Sequence, residues 1–373
     1  MHRIPILDLK RQIKPIRREL DLAIRRVIDN TDFILGHEVA EFEKMAAEYC
    51  RIKYALGVSN GTDAIKLALV ALGVKPGEGV ICPAFTYYAT AGAIAGMGAV
   101  PVFCDIEPLT YNMSAGNLKD AIKASKRIKI TAAIPVHLYG QCADMDNILK
   151  VARKYKLKVI EDTAQAFGAE YKGKKAGTLA DCGTVSLFPG KNLGAFGDAG
   201  MVLTGQKVVA ERLKVLRNQG NKERYNHILT GYNNRLDTLQ AAVLSVKLRY
   251  LDSWNEKRRK IAAYFNRELE CTGLKIPYLA PYNIHIYHQY VLRLKGASDK
   301  LIAHLNKKGV DARVYYPIPL HLQKCFRNLG YKKGDFPESE KAARNIVAIP
   351  VYPDLTGEEM RYIISSIKEF MYG

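Results

Sequence analysis

No apolar run in the chain reaches the ~18 residues that a membrane-spanning helix needs, so nothing is expected to cross a bilayer. The opening stretch MHRIPILDLKRQ lacks the apolar core of a secretory signal, and the expected location is the cytoplasm. Cysteine is sparse and unpatterned. Seven residues with no CxxC pair and no even framework exclude a disulfide scaffold and fit a reducing compartment. No G-x-G-x-x-G follows the first strand, where SNGTDA stands instead, and a dinucleotide-dependent dehydrogenase thereby loses its signature. Repeats, low-complexity tracts and disordered linkers are missing too. The last shortage is of acid: 37 Asp and Glu face 56 Lys and Arg, a formal net charge of +19.

A basic excess is the usual footprint of a nucleic-acid binder. Here the clusters KASKRIK (123–129), RKYKLK (153–158) and NEKRRK (255–260) are spread along the chain, each read as a helix end or a loop. No nucleic-acid module accompanies them, and a basic surface equally suits an anionic small substrate. No specific nucleic-acid partner is expected.

With 373 residues, 48% of them hydrophobic, the chain can bury a large core and has the length of two domains. Residues 15–29 and 38–49 carry apolar positions at helical spacing. SNGTDAIKLALVAL (59–72) turns through Asn60-Gly61 into a helix. Short apolar runs follow at 79–84, 100–106, 131–136, 158–163, 183–188 and 200–205, with helical segments near 89–97, 115–124 and 144–155 among them. Strands without polar alternation, joined by helices, predict a mainly parallel sheet covered on both faces. From about Leu236 the pattern reads as one long amphipathic helix. A smaller α/β section follows, with strands at YHQYVLRL and ARVYYPI, helices near 299–307 and 357–371, and a capping box from Thr356 to Glu359.

In an open α/β sheet the ligand lies beyond the carboxyl ends of the strands, so the residues there carry the chemistry. Gly61 and Thr62 begin a helix, whose free N–H groups and dipole attract a phosphate. The strand read at 158–162 ends in Glu161 and Asp162, charges that need partners after an apolar strand. Ser186 belongs to run 183–188, which delivers Lys191 into the glycine-rich turn SLFPGKNLGAFGDAG (186–200). PAFTYYAT (83–90) offers Tyr87 at another strand end. Each residue alone has an ordinary structural explanation. Pyridoxal phosphate accounts for all of them together: Lys191 as the covalent lysine, Asp162 on the ring nitrogen, Gly61, Thr62 and Ser186 on the phosphate, and Tyr87 over the ring. His285 and His288 sit in a segment read as a strand without a carboxylate, so no metal is expected.

The motifs DFILGHEVAEFE, SNGTDAI, HLYGQCADMD, VIEDTAQAFGA, SLFPGKNLGAFGDAG, GYNNRLDTLQAA and YPIPLHLQ run over nearly the whole chain. In them the chain resembles the DegT–StrS group of nucleotide-sugar aminotransferases. The resemblance implies fold type I of the pyridoxal-phosphate enzymes. It entails a large domain (1–245) with an N-terminal helix and a mainly parallel seven-stranded sheet, then a smaller C-terminal α/β domain (246–373). It implies Gln165 near the ring hydroxyl, and Asn233 reaching the phosphate of a neighbouring subunit, hence a homodimer with shared sites. Arg235, Tyr316 and His321 become substrate contacts. The implied reaction takes an amino group from glutamate, through pyridoxamine phosphate, to a keto sugar on a nucleotide diphosphate. HLYGQCADMD and GYNNRLDTLQ resemble members acting on 3-keto sugars more than 4-keto ones. Some relatives are dehydratases or regulators that lack the lysine; Lys191 is present.

Overall fold

Seven strands pair into one sheet in the computed structural model, which describes residues 3–373. In chain order the strands are β1 (Tyr54–Val58), β2 (Gly79–Pro83), β3 (Val100–Cys104), β4 (Ile130–Ala133), β5 (Lys158–Asp162), β6 (Cys182–Ser186) and β7 (Gly200–Thr204). In space the order is β1-β7-β6-β5-β4-β2-β3. Only β7 is reversed, lying antiparallel to both β1 and β6. The predicted parallel sheet is therefore present, with β1 as a strand the apolar runs did not announce.

Helices α1 (Arg17–Asn30), α2 (His37–Cys50), α3 (Gly61–Ala71), α4 (Tyr88–Gly96), α5 (Ala115–Ala124), α6 (Met145–Lys154) and α7 (Lys207–Arg217) surround the sheet. Side chains alternate across it. Val80 and Cys82 share a cluster with α3 and α4, whereas Ile81 packs with Leu118 of α5 and Ile148 of α6. All five positions of β2 and of β7 are buried, which explains their unbroken apolar reading.

The single long helix expected after Leu236 is in fact two, α8 (Thr238–Leu248) and α9 (Leu251–Leu269). They serve different cores. Ala242, Val243 and Val246 of α8 pack on α1, while Ile261, Phe265 and Leu269 of α9 belong to a C-terminal cluster. At the break Tyr250 stacks on Trp254 and donates its hydroxyl to Glu19 of α1.

The C-terminal cluster joins β8 (Tyr290–Arg293) and β9 (Ile346–Ile349), an antiparallel pair, to α10 (Ser298–Lys307) and α12 (Gly357–Tyr372), with α11 (Pro337–Asn345) before β9. The capping box of α12 forms as expected: Glu359 N donates to Thr356 Oγ1 at 3.2 Å, and Thr356 N to Glu359 Oε2 at 2.9 Å. ARVYYPI is not a strand. It makes only an isolated bridge, Arg313 with Ala348, and Pro317 and Pro319 have no N–H to extend a ladder. The segment His285–His288 is irregular rather than extended, and NEKRRK lies inside α9 rather than at a helix end. Among the described residues no helix is long and apolar enough to cross a membrane.

Candidate active site

Beyond the carboxyl ends of β5 and β6 lies a cavity of about 460 Å3. At one end stands the N-terminus of α3. Asn60 caps it, accepting from Asp63 N at 2.8 Å, so the first-turn N–H groups of Gly61 and Thr62 have no partner within the helix. Both residues line the cavity, with Ser186. A Cβ on Gly61 would lie 2.6 Å from Ser186 Cβ, and one on Gly200 would collide with the Asn60 carbonyl. Only glycine lets strand and helix meet this closely. The cradle of two free N–H groups and a hydroxyl fits a phosphate.

Asp162 ends β5, almost fully buried. Thr90 Oγ1 donates to its Oδ2 at 2.8 Å and Ala164 N to its Oδ1 at 3.1 Å. Burial raises its pKa, while these two bonds and the nearby Lys191 oppose the rise. Lys191 is pulled down to about 8 by burial, with Asp162 acting against the shift. Its turn is closed by hydrogen bonds from Lys191 N to Phe188 O (2.9 Å) and Ala195 N to Leu187 O (2.8 Å).

Tyr87, a little over half exposed, precedes α4 and lies over the cavity, its ring centroid 5.8 Å from that of Tyr316. Gln165 accepts from Tyr139 N at 2.8 Å and donates to the Tyr316 hydroxyl at 2.6 Å. The structure thus gathers Gly61, Thr62, Tyr87, Asp162, Gln165, Ser186, Lys191 and Tyr316 around one space.

Three predicted residues stay outside it. Asn233 is exposed, in an isolated bridge with Asn218, and Arg235 Nη1 donates to Asn218 Oδ1 at 3.2 Å. His321 is the third. It is buried away from the cavity, its Nε2 3.2 Å from Glu340 Oε1 and its ring edge-on to Phe336.

Other groups escaped the sequence reading. Thr90 carries Asp162, and His288, Gln289 and Arg258 line the wall beside Lys191. Arg258 had a signal: it lies on the α9 stripe of Trp254, Ile261 and Phe265, where solvent-facing arginine does not belong. Glu161, fully buried, is satisfied by Gly177 N, Leu179 N and Ala180 N at 2.7–2.9 Å and by His137 Nε2 at 2.9 Å. Because Ala143 N donates to His137 Nδ1, the ring proton sits on Nε2 and points at Glu161. The partners that the strand-end charges required are therefore all present.

A model of the DegT/DnrJ/EryC1/StrS aminotransferase family matches residues 14–368. A pleiotropic regulatory protein of Geobacillus stearothermophilus is 46% identical, over 98% of both chains. The UDP-2-acetamido-2-deoxy-3-oxo-D-glucuronate aminotransferase of Pseudomonas aeruginosa is 41% identical, over 98% of this chain and 99% of its own. Among solved structures, S. venezuelae DesV superposes with a TM-score of 0.96 at 38% identity, covering 100% of both chains. NtdA from Bacillus subtilis, solved with pyridoxamine phosphate, gives 0.93 at 30% identity, over 100% of this chain and 86% of its own. Fold, cavity and matched length converge: the chain belongs to the DegT/DnrJ/EryC1/StrS aminotransferase family of pyridoxal-phosphate enzymes.

Proposed function

We propose that this protein moves an amino group from glutamate to the keto carbon of a sugar carried on a nucleotide diphosphate, at position 3, in amino-sugar biosynthesis. The observation that carries the reading is Lys191 beside buried Asp162 in one cavity, with a phosphate-fitting helix N-terminus at its edge. Position 3 is supported by the 3-oxo substrate named for the Pseudomonas relative and by the motifs shared with 3-keto members.

When bound, pyridoxal phosphate supplies an electron sink that stabilises negative charge at the amine-bearing carbon. The chain supplies the rest. Gly61, Thr62 and Ser186 hold the phosphate. Asp162, kept in place by Thr90 and Ala164, presents a carboxylate to the ring nitrogen. Tyr87 covers one ring face and Gln165 orients the ring hydroxyl. Lys191 Nζ takes the proton from the amine-bearing carbon of the donor and later returns one to the keto carbon of the sugar. An amine near pKa 8 keeps a far larger neutral fraction at physiological pH than an ordinary lysine does, which suits a base.

Asn233 and Arg235 act from a second copy of the chain, so the working unit is a homodimer with shared sites. Their place outside this chain's own cavity is what such sharing requires. The large unit is taken as residues 1–245 and the small one as 246–373, with the cavity between them. A cytoplasmic location completes the reading, in keeping with seven free cysteines.

A regulatory role is the second reading, favoured by the name of the Geobacillus relative. It requires neither a lysine near pKa 8 nor a buried carboxylate facing it. Visible absorption of cofactor-loaded protein, followed while glutamate is added, separates the two. Bleaching of the lysine-bound chromophore, then transfer to a 3-keto but not a 4-keto nucleotide sugar, supports the proposal. A spectrum indifferent to glutamate and to a panel of donors contradicts it.

A further inference from the structure

The cavity wall contains a buried cation that the chemistry above leaves unused. Arg258 is 2% exposed on α9. Its Nη1 donates to the carbonyls of Val351 (2.6 Å), Tyr287 (3.2 Å) and His288 (3.4 Å). Its Nε is buried without a partner, and no carboxylate pairs with it among the described residues. Asp354, the acid that acts on it electrostatically, is within ion-pair distance of Lys257 instead, at 3.6 Å. Burial pulls the guanidinium down to about 10. A buried cation without an anion is unfavourable, and a ligand anion relieves it.

Asp354, whose Oδ2 is buried without a hydrogen-bond partner, does not line the cavity, and the residues that do line it beside Arg258 offer no competing acid. Asn192 donates its amide to Asn255 Oδ1 at 2.7 Å, so its oxygen must accept from His288 Nδ1 at 2.9 Å. His288 therefore keeps its proton on Nδ1. Burial, with Lys191 and Arg258 close by, holds its pKa well below the usual value, so the ring is neutral. Gln289 Oε1 is buried without a partner. Of the two acids lining the cavity, Asp162 is held by Thr90 and Ala164, and Asp198 is exposed.

We propose that Arg258 holds a carboxylate of the amino donor, on the wall that α9 and the His288–Gln289 segment form beside Lys191. The site then has two anion positions: the α3 N-terminus for the phosphate and Arg258 for the donor. A guanidinium already fixed by three carbonyls presents its remaining N–H groups to a carboxylate at little further ordering cost. This inference rests on the amino-transfer reading.

The test measures binding of three amines to the cofactor-loaded protein. They are glutamate, 4-aminobutanoate, which lacks the carboxylate beside the amine, and 2-aminopentanoate, which lacks the distal one. Losing one charge-assisted contact lowers affinity roughly 10- to 100-fold. In Arg258→Gln the preference for glutamate over 4-aminobutanoate falls by that factor if the near carboxylate is held. The preference over 2-aminopentanoate falls instead if the distal one is, and Arg258→Lys recovers part of either loss. Wild-type preferences retained in Arg258→Gln overturn the proposal. Since Arg258 also ties three carbonyls, a crystal structure of the wild-type protein with glutarate gives an answer that needs no variant. A carboxylate is expected about 2.7–2.9 Å from a guanidinium nitrogen of Arg258. A carboxylate bound elsewhere, or none in the cavity, overturns the proposal. If wild-type protein takes an amino group from no donor while glutarate sits on Arg258, the amino-transfer reading fails and the anion site stands.

Discussion

Lys247 Nζ, on α8 and 1% exposed, donates to the carbonyl of Gly194, three residues past Lys191. A Cβ on Gly194 would collide with the Pro189 carbonyl, so the turn carrying Lys191 is closed on itself and pinned from below by a second lysine. The amine also lies 5.6 Å from the centroid of the Phe196 ring. Two buried amines thus share one turn, one facing the cavity and one supporting it.

Both amines are pulled down to about 8 by burial, from an unfolded value of 10.5. Between about pH 8 and 10.5 the unfolded chain therefore binds more protons at these sites, and their contribution to stability rises with pH. Buried tyrosines and cysteines with raised pKa act in the opposite direction, so the quantity to read is a difference. Denaturant midpoints of cofactor-free wild type and Lys247→Met, taken from pH 7.5 to 10, are expected to diverge in favour of wild type as pH rises. Parallel curves contradict the assignment.

Asp162→Asn removes the charge proposed to face the cofactor ring but keeps a group that Thr90 and Ala164 can hold. Cofactor binding should persist while amino transfer falls roughly 100-fold or more, as for other losses of a preorganised charge. Stopped-flow rates for the glutamate half-reaction check this; near-normal turnover contradicts the role.

Gly61→Ala places a methyl 2.6 Å from Ser186 Cβ, which forces the helix start and the strand end apart. Overpacking of this kind costs about 1–3 kcal/mol, and here it should appear as at least ~10-fold weaker binding of pyridoxal phosphate. Binding of pyridoxal, which has no phosphate, should change little. Equal losses for both ligands would remove the phosphate from this end of the cavity.

The parallel sheet and most of its helices were legible because unbroken apolar runs and 3.6-residue periods reflect burial directly. β1 was not, since glycine interrupts the apolar residues of YALGV; nor was α11, whose polar PESEKAARN shows little of its buried side. The split at Tyr250 was hidden because helical period continues through it and only the change of partner core marks it. Lys191 and Asp162 were legible as charges at strand ends. Arg258 and Lys247 were masked by neighbouring lysines and arginines, although each occupies an apolar stripe. The burial of His321 was not legible, because a motif gives residue type and order but not the neighbours, here Glu340 and Phe336, that decide where a side chain turns.

Mixing two inactive variants tests assembly. Lys191→Ala lacks the amine, and Asn233→Asp puts a negative charge where a partner's phosphate should be. After reversible dissociation and reassociation, each mixed dimer has one pocket with both native residues and one with neither. Activity should partly return, towards half per mixed dimer. Mixed dimers shown by mass spectrometry to form, yet inactive, would mean that the loop does not act across subunits.

The central claim is that Lys191 is the amine that carries the cofactor. Borohydride reduction of the cofactor-loaded protein, digestion and peptide mass mapping should place a single pyridoxyl group on the peptide containing SLFPGKNLGAFGDAG, at Lys191. A label on Lys247, or on any other lysine, would contradict the account.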